Sequence, residues 1–337
     1  MLIPNASLEA LNTLHLPGKA RRFAEISSAD QLQALIRGGE LSAGPVVVLG
    51  GGSNVVISGD LEATVLHIRI PGRELVGEDA EAFYVRAGAG EDWPDFVTWT
   101  LEQGWGGLEN LAFIPGTVGA APVQNIGAYG LEAKDRFHSL EALNLHSGCT
   151  LSLDRGACRF GYRESLFKTE EGRGLVVTSV TFRLPKGWKP EAAYLDLARE
   201  LSSSGFEHPT PLQVAQAVTA VRRRKLPDPL EIASAGSFFK NPVLDPKSFA
   251  SLKVEHPQLP SYPQADGRFK VAAGWLIEQC GWKGRSLGPV GMFAHQALVL
   301  VNHGGATGAD VLRLAETVRA DVRTRFGIEL EMEPVVL

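Results

Sequence analysis

A chain of 337 residues exceeds what one ordinary hydrophobic core organises and predicts two or three domains. Hydrophobic residues at 44% and charged residues at 21% describe a well-packed globular protein, and a net charge of -5 argues against a dedicated nucleic-acid binder. Cys149, Cys158 and Cys280 lie far apart with no C-x-x-C spacing, which favours a reducing compartment. The opening MLIPNASLEALNTL does not read as a signal peptide, and no apolar run reaches membrane-spanning length. The expectation is a soluble, cytoplasmic protein.

In chain order, ADQLQALIR (Ala29–Arg37) carries apolar residues at helical spacing. PVVVLGGGSNVVI predicts two short strands around a glycine turn and TVLHIRI a third, together a small α+β unit. FYVRAGAG alternates as a strand does, and EDWPDFVTWTLEQG reads as a helix ended by Gly104. The segment GLENLAFIPGTVGAAPVQNIGAYG shows neither period over much of its length. Inside a domain, its backbone groups need partners in a tight turn or a ligand. Strands are predicted again in FHSLEALNL, CRFGYRESLF and GLVVTSVTFRL. After the turn-rich PKGWKPEAAY come a helix in PLQVAQAVTAVRRRK, core elements in AAGWLIEQC and ALVLVN, and a helix in ADVLRLAETVRADVRTRFG. IELEMEPVVL predicts a final strand.

Several of these stretches carry chemistry. GGGSN (Gly50, Gly51, Gly52, Ser53, Asn54) follows a strand, and its glycines leave backbone N–H groups able to face a phosphate. It lacks the G-x-G-x-x-G fingerprint and the strand–turn–helix context of a Rossmann site, so phosphate cradle and ordinary turn both stand. In PGTVGAAPVQNIGAYG, the small residues Gly116, Gly119, Ala120, Ala121, Gly127, Ala128 and Gly130 would let an extended ligand lie on main chain. Gln124 and Asn125 add an amide pair for ring or pyrophosphate edges; the alternative is a tightly packed turn.

Arg163 in RFGYRES has the planar fork that suits a carboxylate, and RRRKLPDP (Arg222 to Pro229) suits a phosphate or simply a solvated helix end. Ser237 in AGSFFKNP stands between Gly236 and two phenylalanines, either as a buried hydroxyl with a backbone partner or as a proton donor facing a ligand. Glu329, Glu331 and Glu333 alternate, so on a strand they would share one face and repel one another. The eight histidines form no H-E-x-x-H or close ligand cluster, and no G-x-S-x-G elbow occurs, so neither metal chemistry nor that hydrolase chemistry is expected.

GGGSN, PGTVGAAPVQNIGAYG, CRFGYRES, KLPDP, AGSFFKNP, YPQADG, KVAAGWLIEQCGWKG and HQALVLVN occur in the order seen in the UDP-N-acetylenolpyruvoylglucosamine reductase family. The chain resembles that family, in its type I form, over roughly residues 10 to 334. The resemblance implies an α+β fold of three domains. Two would form an FAD-binding unit of the vanillyl-alcohol-oxidase or PCMH type, over 1–70 and 71–215, and a third, over 216–337, would bind substrate. The last strand is allowed to pack back on an FAD subdomain.

The resemblance also implies non-covalent FAD, NADPH as reductant, and UDP-N-acetylglucosamine enolpyruvate as substrate. Hydride passes from NADPH to the flavin and then to C3 of the enolpyruvyl group. A proton to C2 completes UDP-N-acetylmuramate, a peptidoglycan precursor.

By resemblance, the cofactor lies on Gly50, Gly51, Gly52, Ser53, Asn54, Pro115, Gly116, Gly119, Ala120, Gln124, Asn125, Gly127, Ala128 and Val177. Ser237 takes the position of the general acid, with Arg163 and Glu333 as the other catalytic residues. The family tail often reads LEPEV where this chain reads LEMEPVV, so Met332 replaces proline and Glu331 competes with Glu333. Tyr194, Arg222, Lys225, Asn241, Tyr262 and Gln296 match positions around the UDP diphosphate or sugar, and Arg222 and Lys225 also suit NADPH phosphates. Tyr194 is expected on a loop that closes over UDP. A monomer is the default, with no nucleic-acid or membrane partner.

Another flavoprotein on the same scaffold, such as an oxidase of a small alcohol or sugar, would have no need of Ser237 or Lys225. A catalytically silent sugar-nucleotide binder would have no need of Ser237, Arg163 and Glu333 together.

Overall fold

The computed structural model describes residues 2–228 and 231–337; Pro229, the last residue of KLPDP, lies outside the described residues. The chain divides into two compact units. The first comprises Met1–Ala6, Ala20–Gly52 and Leu61–Arg223, and the second Ser7–Lys19, Ser53–Asp60 and Arg224–Leu337.

The first unit holds two larger sheets and the two-stranded pair Gly127–Ala128 with Leu131–Glu132. One orders the strands Ile3–Ser7, Lys19–Ile26, Leu61–Ile68 and Val46–Leu49. Lys19–Ile26 and Val46–Leu49 both run parallel to Leu61–Ile68, whose residues from Ala63 onward are all buried. A continuous apolar strand with neighbours on both edges and cover on both faces reads this way. The helix Ala29–Arg37 connects Lys19–Ile26 to Val46–Leu49 and starts where the Ser28 side chain accepts from the Gln31 amide.

The other sheet is antiparallel, in the order Thr150–Asp154, Phe137–Asn144, Leu175–Pro185, Ala82–Gly88 and Arg73–Glu78. Its central strand, Leu175–Pro185, alternates buried and half-buried positions from Thr178 on, so one face is directed to the core. There Phe182 packs against Trp93 and Phe96 of the helix Trp93–Glu102, at ring separations of 5.6 and 5.5 Å.

The helix Pro211–Lys225 buries Val214, Ala215, Ala217 and Val218 in this same core, which carries the first unit on to Arg223. The first unit therefore contains both segments expected to bind FAD, except for the two N-terminal stretches taken up by the second.

In the second unit, Ala233–Ser237, Val299–Asn302, Val290–Met292 and Ser286–Leu287 form an antiparallel sheet. The helix Gly308–Phe326 belongs to it and begins with a Thr307–Asp310 capping box. The closing strand Val335–Val336 runs parallel to Val55–Val56, so the tail packs onto a segment near the N-terminus that belongs to the same unit.

The two short strands expected around GGGSN are present, Val46–Leu49 paired with Leu61–Ile68 and Val55–Val56 with Val335–Val336. Two sequence expectations are corrected. CRFGYRESLF is a chain of turns with one bridge, Gly161 to Glu164, since Arg159 and Arg163 hold φ of 47° and 57° and break an extended run. The tail is a strand only at Val335–Val336, with a bridge at Met332. Among the described residues no helix is long and apolar enough to cross a membrane, and no group of metal-ligating side chains converges.

Candidate active site

In the first unit the two glycine-rich segments meet. A Cβ added at Gly51 would lie 3.0 Å from the Cα of Gly116, and one at Gly50 would lie 2.7 Å from Thr117 Oγ1. The loops therefore run main chain against main chain, which only glycine permits at this approach. Around them, Trp93 N donates to Gly116 O at 3.0 Å, Val118 N to Glu91 O at 2.9 Å and Gly119 N to Ala89 O at 2.9 Å. These bonds fix the loop without using side chains. The buried imidazole of His67 bonds to the Gly50 backbone from the neighbouring strand.

Farther along, Asn125 is buried at φ 43°. Its Oδ1 accepts from Lys134 N at 3.0 Å, and its Nδ2 donates to Gly161 O at 2.9 Å and Glu132 Oε2 at 3.1 Å. The left-handed backbone, costing about 1–2 kcal/mol for a residue with Cβ, is held by this network. Asn125 thus holds the loop in place, and Val177 packs in the core from the central strand.

Arg163 follows from that scaffold. Its guanidinium donates to Asn125 O at 3.4 Å and Gly127 O at 3.2 Å, and Lys168 Nζ donates to its carbonyl at 2.7 Å. Arg222 donates from Nε to Phe113 O at 3.1 Å. Burial lowers its pKa from the ordinary value, Tyr129 works the other way, and the positive charge of Arg163 lowers it further. Two guanidinium groups close enough to repel mark a place suited to an anion.

Tyr129 also receives Tyr194 edge-on, at 5.4 Å and 87°. The segment leading to Tyr194 is anchored by Asn110 Nδ2, which donates to Tyr129 O at 2.8 Å and Glu191 O at 2.7 Å. Trp188 Nε1 donates to the buried Glu109 at 2.6 Å. Sequence reading missed Glu109 and Asn110 as anchors; the quoted GLENL gave only their neighbourhood.

In the second unit, Ser237 ends the strand Ala233–Ser237, and the pairing to Val299–Asn302 shifts register between Ser234 and Ser237. Gly236 takes φ 67° in that irregularity, the left-handed conformation a bulge of this kind demands. A bulge re-aims the next side chain, and Ser237 is left half-buried beside the fully buried Phe238 and Phe239. Their rings meet edge to face at 5.4 Å.

The tail lies along this segment. Glu333 N donates to Phe238 O at 2.9 Å, Phe239 bridges Met332, and Lys240 N donates to Glu331 O at 2.9 Å. Asn54 Nδ2 donates to Glu333 O at 3.2 Å.

The three alternating glutamates do not repel one another unpaired. Glu329 pairs with Arg319 and Arg323, and Glu331 with Lys240 at 2.6 Å. Asn241 Oδ1 accepts from Ala273 N at 2.9 Å at the start of the helix Ala273–Gln279, and Gln296 lies against Gly274 of that first turn. Tyr262 is exposed on a short strand, and Lys225 is half-buried at the helix end. Ser53 and Asn54 open the stretch Ser53–Asp60 of the second unit, whereas Gly50–Gly52 belong to the first.

A flavin dinucleotide needs what the glycine segments offer: small residues and a fixed main chain. The residues fit. Residues 20–154 match an FAD binding domain, and residues 228–337 match the C-terminal domain of UDP-N-acetylenolpyruvoylglucosamine reductase. By fold and cradle the protein is a flavoprotein of α+β class.

The UDP-N-acetylenolpyruvoylglucosamine reductase of Azoarcus sp. is 56% identical over 335 residues, covering 98% of this chain and 96% of that protein. The enzyme of the same name from Paraburkholderia xenovorans is 56% identical over 332 residues, with 98% and 96% covered. The crystal structure of the reductase from Thermus caldophilus shares the fold, with a TM-score of 0.70 at 24% identity, covering 100% of this chain and 99% of that one. The chain belongs to the UDP-N-acetylenolpyruvoylglucosamine reductase family.

Proposed function

We propose that this chain reduces UDP-N-acetylglucosamine enolpyruvate to UDP-N-acetylmuramate with NADPH, in peptidoglycan precursor synthesis. The carrying observation is the pairing of the Ser237 segment with the tail bearing Glu333, in a chain 56% identical to reductases of that name. Gly50–Asn54, Pro115, Gly116, Gly119, Ala120, Gln124, Asn125, Gly127, Ala128 and Val177 would hold FAD, which when bound would relay hydride from NADPH to the enolpyruvyl group. The chain's own residues bind, orient and protonate.

Ser237 donates its hydroxyl proton to C2 of the substrate. A neutral hydroxyl is a weak acid, so position carries this role: the buried Phe238 and Phe239 exclude water behind it and strengthen nearby charge interactions. Arg163, its side chain fixed on two carbonyl oxygens, pairs with the substrate carboxylate where negative charge accumulates. Glu333 takes the third catalytic position in preference to Glu331, because its main-chain amide ties it to Phe238, the residue after Ser237.

Tyr194, Arg222, Lys225, Asn241, Tyr262 and Gln296 bind the nucleotide sugar, Arg222 and Lys225 as cations for its phosphates. Asn241 meets the ligand with its Oδ1 already fixed on a helix start. The reaction runs in the cytoplasm with the chain as a monomer. The three cysteines, all free, support a reducing compartment.

The test is an anaerobic visible spectrum of the purified protein, with NADPH and then the enolpyruvyl ether added to one cuvette. The flavin bands bleach with NADPH and return only with the ether. Bleaching without return removes the substrate from this reading; a protein that stays colourless after added FAD removes the whole of it.

A further inference from the structure

We infer that Asn110 is a positioning residue of the nucleotide-sugar site: its one side-chain amide sets Tyr194 against Tyr129 and takes no part in the chemistry. The inference rests on the reading of Tyr194 given above.

Asn110 is fully buried in the short 3-10 helix Glu109–Leu111. Both hydrogens of its Nδ2 are committed, to Tyr129 O at 2.8 Å and to Glu191 O at 2.7 Å. Its Oδ1 is buried with no hydrogen-bond partner. Turning the amide over would set that oxygen against two carbonyl oxygens, so the two donated bonds fix its orientation. A buried acceptor left unmade costs stability, and what the residue supplies against that cost is a bridge between two segments.

On the Tyr129 side the bridge holds unusual main chain. Tyr129 has φ 48°, uncommon for a residue with a Cβ. Phe113, Asn125 and Arg163 are also left-handed, at 60°, 43° and 57°. Each has its carbonyl oxygen held by a side-chain donor, from Arg222, Arg163 and Lys168 in turn. Asn110 does the same for Tyr129.

On the other side anchors are few. Among the described residues, no main-chain group from Gly187 to Ala193 bonds to another main-chain group. The polar ties of this segment to the core are Trp188 Nε1 on Glu109 and Glu191 O on Asn110. The Trp188 ring and Ala192 also pack on the core, but apolar contact has no direction and fixes no angle. Past Tyr194, the helix Leu195–Ser203 buries Leu197 and Leu201. Tyr194 thus stands between that packed helix and the Asn110 bond to Glu191. The same amide holds the main chain on both sides of the edge-on contact between Tyr129 and Tyr194.

The test uses the FAD-loaded full chain, reduced anaerobically with NADPH, and follows reoxidation over a range of enolpyruvyl ether concentrations. Asn110→Ala removes both donors, and Asn110→Asp keeps the shape while losing one or both. Each raises the half-saturating ether concentration by about 5- to 30-fold, the effect of one or two hydrogen bonds, and leaves the limiting rate within about threefold. Tyr194→Ala raises half-saturation too. Adding either Asn110 variant to Tyr194→Ala raises it by no more than about twofold further, because Asn110 acts through that tyrosine.

Half-saturation at the wild-type value in Asn110→Asp overturns the inference, since shape and not donation would then matter. So does a loss that adds in full to that of Tyr194→Ala, or a limiting rate that falls in step with melting temperature; either makes Asn110 merely structural. If Asn110→Ala does not fold, Asn110→Asp carries the same comparison, and failure of both to fold also makes the residue structural. Failure of the wild-type protein to reoxidise with the ether overturns the functional reading and this inference with it. An inference that fails on its own leaves wild-type turnover intact and Tyr194→Ala still impaired.

Discussion

The main-chain amide of Glu333 donates to the carbonyl oxygen of Phe238 at 2.9 Å, joining residues 95 positions apart in sequence. That bond brings Glu333 within one residue of Ser237 across the pairing. It ties the tail to a segment kept dry by two buried rings. The consequences for chemistry are concrete.

Ser237→Ala removes the proton donor and nothing that holds the flavin. Flavin reduction by NADPH stays close to wild type, while reoxidation by the enolpyruvyl ether falls by about 10²–10⁴, the usual range for a lost general acid. Ser237→Cys, which still donates, retains part of the rate. Stopped-flow absorbance of the two half-reactions decides it, and equal losses in both would remove the general-acid role.

Gly119→Ala forces a Cβ to within 2.5 Å of Ala89 Cβ and 2.9 Å of Ala89 Cα. The backbone of Ala89 is itself engaged, since its carbonyl accepts from Gly119 N. Overpacking here costs about 1–3 kcal/mol and shifts the cradle. The variant melts lower and loses flavin on gel filtration; full flavin retention with an unchanged melting temperature would contradict the close packing.

Trp188→Phe leaves a carboxylate oxygen of the buried Glu109 without the donor it now has at 2.6 Å. A hydrogen bond to a charged group contributes about 1.5–3 kcal/mol, and its loss loosens the segment leading to Tyr194. We expect KM for the UDP-sugar to rise while NADPH reduces the flavin at its normal rate. Steady-state kinetics in the two substrates separates these effects.

His67 gives a pH dependence of stability. Burial lowers its pKa below 6.5, nearby Arg69 adds to this, and Glu25 and the hydrogen bond to Gly50 oppose it. With the folded pKa below the unfolded one, the unfolded chain binds more protons in the window between them. Stability therefore stands in full above pH 6.5 and is lost as pH falls from there through the folded pKa. His67→Gln removes this component, so denaturant titrations from pH 7.5 to 5.5 should show a shallower fall for the variant.

Much of the local structure could be read directly. The helix Ala29–Arg37 has its period, its Ser28 cap and its bounds written into nine residues. The helices at Trp93–Glu102 and Gly308–Phe326 are also local, fixed by caps and by Gly104 and Gly327 in left-handed backbone. The glycine segments were legible as candidates because small residues in an aperiodic run have few other uses. CRFGYRESLF misled because its apolar spacing is that of a strand, while Arg159 and Arg163 adopt positive φ and the Arg163 side chain is fastened to the distant carbonyls of Asn125 and Gly127.

The sequence by itself determined residue types and local periods: an α+β chain, two glycine segments, a serine before two phenylalanines and alternating glutamates at the end. Those follow from neighbours along the chain, where sterics and hydrophobic period act over a few residues. Only the tertiary structure decided which partners they meet. It set Gly51 against Gly116, fastened Asn125 into its loop, brought the charge of Arg163 to bear on Arg222, and gave Glu329 and Glu331 different cations. Those choices belong to residues far apart in the chain, and their energies exist only once the chain has closed on itself.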